Sequence, residues 1–100
     1  MRPNEAIPQL EVEWDLEKGF LGRLRRGDFD SPGAERLVEL LERVEPNGDL
    51  PGRFVELTWY IPIFLTWQEP RVSEHDGNVE QLRRVGTRIL NALEKVLGTP

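Results

Sequence analysis

The stretch Phe54 to Trp67 is the most apolar part of the chain, and the proline at position 62 limits what it can become. Val55, Leu57, Trp59, Ile61, Ile63, Leu65 and Trp67 alternate as a strand would, while Phe54, Leu57, Ile61, Phe64 and Leu65 also fit a helical period. Periodicity by itself does not choose between them. A strand of this length would carry Pro62 in its middle, where a ladder hydrogen bond is lost. A helix takes the proline with a kink and one missing backbone bond. Asp49 stands where it would cap a helix starting near Leu50 and Pro51. The stretch therefore reads as a kinked, nearly all-round apolar helix, the central member of a bundle. Glu56 and Pro62 interrupt it, and it falls short of the roughly 20 residues that cross a bilayer.

Two other helices have clear signals. Ser31 is a natural N-cap, Pro32 fits the first helical position, and Glu35 lies in the first turn beside the positive end of the helix dipole. Ala34, Leu37, Val38, Leu41 and Val44 then form one stripe, widened by Leu40, and the run Glu45 to Asp49 ends the helix in a loop. The last helix runs from about Val79 to Leu97, with Leu82, Val85, Ile89 and Leu93 on one face. Asp76 or Asn78 would cap its start, and Gly98 is placed as its stop. Gly86 inside it costs about 1 kcal/mol relative to alanine, which a close helix crossing would explain.

The beginning of the chain is less regular. Phe20, Leu21 and Leu24 predict a short helix within Leu16 to Arg26, weakened by Gly19 and Gly22 and ended by Gly27. Before it, Pro3 and Pro8 precede the alternating Leu10, Val12 and Trp14, the pattern of an extended segment laying one face on the protein. The fold class that follows is all-α, a small compact three- or four-helix bundle in a single domain of 100 residues, with residues 1–15 as an extended arm. The alternative is α+β, with residues 9–14 pairing along 54–67.

Eighteen acids against 13 bases give a net charge of -5, which argues against a nucleic-acid binder, since duplex affinity needs a clustered basic surface. The acidity sits in the N-terminal half. Glu11, Glu13, Asp15 and Glu17 read as a solvated acidic edge, either folding back onto Arg23, Arg25 and Arg26 or reaching toward a basic partner. On this reading, deleting residues 1–8 leaves the domain folded. No apolar run follows Met1 as a leader would, so a cytoplasmic location is expected.

Catalytic constellations are missing. The chain has no cysteine, and its one histidine, His75, lies between Glu74 and Asp76 without a nucleophile or a second histidine to work with. No phosphate loop, nucleophile elbow or paired-histidine zinc motif occurs. Asp28, Asp30 and Ser31 match only the opening of a calcium loop and are better explained as a helix cap. No catalytic residue, metal or cofactor is assigned.

What remains is aromatic. Trp59, Tyr60 and Trp67, followed by Gln68, Glu69 and Arg71, stand where the apolar run passes into polar residues and Pro70 would end the element. A large aromatic beside a charged border is the pattern of an interface centre. The function expected is a non-catalytic protein–protein interaction module, such as an adaptor, assembly factor or immunity-type inhibitor. Its partner would be another protein, a basic one or a second copy, and neither nucleic acid nor membrane. The alternative is a small-ligand or pigment-binding helical module with an apolar cleft near Trp59 and Trp67. A small enzyme using His75 ranks third.

Overall fold

The computed structural model describes residues 1–46 and 49–100. Asn47 and Gly48, the centre of the expected loop between Glu45 and Asp49, lie outside the described residues. About 70% of the chain is helical, and the all-α class holds. Among the described residues six helical segments follow one another: α1 (Pro3–Trp14), α2 (Phe20–Leu24), α3 (Ser31–Glu42), α4 (Gly52–Thr58), α5 (Ile61–Glu74) and α6 (Val79–Leu97). α6 packs against both α3 and α5, and α1 lies on α4, α2 and α3, so one continuous apolar core joins them.

The two clearest sequence helices form close to where their patterns place them. α6 is capped at its start by Asn78, whose Oδ1 accepts the Gln81 N–H at 3.0 Å, and at its end by Gly98, which has φ 83°. Leu82, Val85, Ile89 and Leu93 are buried. α3 buries the expected Ala34, Leu37, Val38 and Leu41, but its cap is Asp30, one residue earlier than Ser31. The Ser31 hydroxyl instead accepts a 2.6 Å bond from the Gln81 side chain, tying α3 to the start of α6.

The apolar stretch is a kinked helix, as the proline required. α4 ends at Thr58, four residues before Pro62, where the proline ring excludes the carbonyl and no N–H returns to it. Trp59 and Tyr60 keep right-handed helical dihedrals across the break, at φ -61°, ψ -32° and φ -83°, ψ -18°. The Leu57 carbonyl beside the break accepts the Trp14 indole N–H at 2.8 Å. Three expectations change here. Pro51, not Asp49, occupies the cap position of α4. Pro70 does not end the element, because α5 continues to Glu74 with Val72 fully buried in its last turn. The helix is also not central, since the outer side of α5 is open to solvent.

The extended arm is the main correction. Residues 3–14 are a helix that buries Pro3, Ala6, Leu10 and Glu13 at steps of three and four. Glu5 in its first turn opens it, with the Arg2 N–H donating to Glu5 Oε1 at 2.8 Å and the Glu5 N–H to the Arg2 carbonyl at 3.0 Å. The alternation of Leu10, Val12 and Trp14 was coincidental, because Val12 faces solvent while the helical stripe contains a carboxylate. α2 is shorter than Leu16 to Arg26, and its two glycines have a positive reason to be there. A β-carbon on Gly19 would overlap the Val12 and Glu13 carbonyls, and one on Gly22 the Asp15 carbonyl. These contacts let α2 turn back tightly over the end of α1.

Candidate functional site: an aromatic face on α5

The inner arc of α5 is filled by Ile61, Phe64, Leu65 and Val72. Its outer arc carries Trp59, Ile63 and Trp67, four residues apart and therefore on one side of the kinked rod. These side chains are 61%, 44% and 59% exposed. Outward faces of helices are ordinarily polar, so three large apolar side chains in line on this one are uncovered apolar surface.

Tyr60 joins this face to the core. Its ring centroid lies 5.4 Å from Trp59 and 5.9 Å from Trp67 on the outside. On the inside it is 6.5 Å from Trp14 and 6.0 Å from Phe64. The Arg25 guanidinium lies over Phe64 at 5.2 Å and Trp14 at 5.5 Å, within cation–π range. The basic cluster of Arg23, Arg25 and Arg26 is thus divided. Arg25 caps aromatics, while Arg23 pairs with Asp28 at 2.8 Å and Asp30 at 3.1 Å.

The six residues expected at an interface do not stay together. Trp59, Tyr60 and Trp67 form the aromatic cluster, and Arg71 is exposed one turn beyond Trp67 while donating to the Arg25 carbonyl. Gln68 turns inward, 8% exposed, with its Oε1 unpaired among the described residues. It leaves the surface set because position 68 falls on the inner arc. Glu69 is turned toward α6, where it binds Arg83 at 3.0 Å. Ile63, Leu90 and Glu56 belong at or beside the face and were not singled out by sequence. Ile63 and Leu90 are each 44% exposed, and spacing from Trp59 and Trp67 would have found Ile63.

An open groove of about 310 Å³ separates α5 from α6, lined by Pro62, Thr66, Glu69, Arg83, Gly86 and Leu90. A methyl group on Gly86 would meet only Leu65 Cδ1, at 3.7 Å, so the glycine is not forced by a close crossing. A smaller hollow of about 170 Å³ continues beside Trp59, Leu90 and Leu97.

The acidic edge is not a free arm. Glu13 is fully buried, and its carboxylate accepts four hydrogen bonds. Arg36 supplies two of them, at 2.7 and 2.9 Å, with Gln9 Nε2 at 2.9 Å and the Phe20 N–H at 3.0 Å. Burial by itself would raise the Glu13 pKa, and the bonds from Arg36, Phe20 and Gln9 outweigh it and hold the pKa below the ordinary value. Glu11 pairs with Arg53 at 3.1 Å. Asp15 accepts the Lys18 and Glu17 N–H groups at 3.0 Å, which lower its pKa. Glu17 alone of the four is exposed without such a role among the described residues.

His75 lies at the C-terminal end of α5, where its Nδ1 stands 2.9 Å from the Arg71 carbonyl, a helix-capping contact. Among the described residues, no group of three or more His, Asp or Glu side chains could hold a metal ion. Nor is any helix there long and apolar enough to cross a membrane. The chain matches no protein family, no curated protein and no solved structure.

Proposed function

We propose that the protein is a non-catalytic interaction module of the cytoplasm that docks another protein on the outer face of α5. The observation that carries this reading is the pair Trp59 and Trp67, both about three-fifths exposed and bridged by Tyr60. Tryptophan and tyrosine are the residue types most enriched at binding hot spots. Two tryptophans of roughly 200 Å² each leave on the order of 250 Å² of aromatic surface in water, a standing cost that docking relieves. Glu56 and Arg71 supply the polar border. The hollow beside Trp59, at about 170 Å³, and the open groove between α5 and α6, at about 310 Å³, lie below or at the bottom of the roughly 300 to 1,000 Å³ typical of small-molecule sites, which favours protein docking over a ligand or pigment.

The test is a photo-crosslinking residue at Ile63, compared with one at exposed Glu39 on α3, in the cells that make the protein. A discrete adduct from position 63 that is absent from position 39 is the expected result. No adduct at 63, or the same products from both positions, sinks the docking reading.

A further inference from the structure

We infer that the occupant of this face is a second copy of the chain, docked antiparallel across a two-fold axis at Ile63. The inference rests on the docking reading above and names its partner. Its first basis is the symmetry of the ridge, because Trp59 and Trp67 each stand four residues from Ile63 and all three are exposed. In a two-fold contact, residue i touches j while j touches i. An antiparallel pairing centred on Ile63 sets Trp59 of each copy against Trp67 of the other and Ile63 against itself.

The second basis is charge. Beyond the ridge lie Glu56 at one end and Arg71 at the other, seven and eight residues from Ile63. Both are exposed, and among the described residues neither has an ion-pair partner. Arg53, Arg83 and Arg88, by contrast, are paired within the chain, Arg53 with Glu11, Arg83 with Glu69, and Arg88 with Glu35 and Glu42. The antiparallel register brings Glu56 of one copy opposite position 70 of the other, within reach of its Arg71, and does so twice.

Net charge sharpens the choice of occupant. Two chains of charge -5 repel each other in general, yet Glu56 and Arg71 cancel across this face, so repulsion there is small. Glu11 and Glu13, which the sequence offered to a basic protein, are already paired with Arg53 and Arg36. The exposed aromatic area is about a third of the roughly 800 Å² that each side of a standard interface buries, so a weak dimer is expected.

Sedimentation equilibrium of the intact chain between about 10 μM and 1 mM reads this directly. The mass should rise from 11.6 kDa toward twice that value. Ile63→Arg and Trp67→Ala should each weaken association about tenfold or more while the dilute chain keeps its helical circular dichroism. Glu56→Arg and Arg71→Glu should each weaken it about threefold or more, and the double variant should return it to within about twofold, since each copy then presents the reversed pair. A chain that stays monomeric at 1 mM overturns the proposal, as does a dimer indifferent to Ile63→Arg or one that the charge swap fails to restore. If the chain is monomeric and position 63 still gives a discrete heavier adduct in cells, the docking reading stands and only the second copy is removed. If both are absent, the two fall together.

Discussion

The junction of α1 with α3 and the outer face of α5 invert the usual placement of polar and apolar groups. Glu13 is fully buried at the first, and Trp59 and Trp67 are mostly exposed at the second. The difference is whether each group finds partners. Glu13 accepts four hydrogen bonds from three residues, so its carboxylate exchanges water for an equivalent set of donors. A helix of the width of α5 offers one arc to its neighbours, and Ile61, Phe64, Leu65 and Val72 already fill it. The aromatics on the opposite arc have no intramolecular surface to cover them. Burial at the junction is structure, and exposure on α5 is available for work.

Removing the support of the junction should give the largest effect. Deleting residues 1–8 takes away the Arg2–Glu5 contact that opens α1, buried Pro3 and Ala6, and the 2.7 Å bond from the Glu45 N–H to the Met1 carbonyl. A loss of about 4 kcal/mol or more is expected in urea denaturation, the reverse of what an extended arm implies. Retention of the full melting temperature would show that α1 contributes little and would dissolve the contrast between the two regions.

Arg36→Ala tests the junction alone and should cost about 3 kcal/mol, since a buried carboxylate loses its counter-charge. Its pH dependence separates it from an ordinary packing defect. In the native chain the Glu13 pKa is lowered, so its stabilisation is present above the unfolded value of about 4.3 and is lost as pH falls through the lower folded value. Without Arg36, burial is expected to raise the folded pKa above the unfolded one. Stability of the variant should then rise between pH 7 and 5, where that of the native chain is flat. Parallel profiles would mean that Glu13 is not held as a buried carboxylate.

The smallest effect belongs to the other region. Trp67→Ala should cost about 1 kcal/mol or less in dilute solution, because the ring loses little beyond its edge contact with Tyr60. A core aromatic would cost about 3 to 5 kcal/mol. A loss in that higher range would place Trp67 among the supports of the fold and end its candidacy as a docking residue.

Three parts of the molecule were legible because a local rule fixes them. The stripes of α3 and α6 follow the helical period, Gly98 and Asn78 mark the ends of α6, and Pro62 dictates the kink between α4 and α5. α1 was hidden because its buried stripe of Pro3, Ala6, Leu10 and Glu13 ends in a charged residue, which hydropathy assigns to solvent. Trp59, Tyr60 and Trp67 stand together as the docking candidates, but their exposure was not decided by sequence, and Gln68 and Glu69 turn away from that face. Local sequence determined that α3 to α6 are helical, since backbone geometry and capping act within a few residues. Only the tertiary structure decided that Glu13 goes in and the tryptophans stay out, because Arg36 lies 23 residues from Glu13 and the arc of α5 left open depends on where α6 packs.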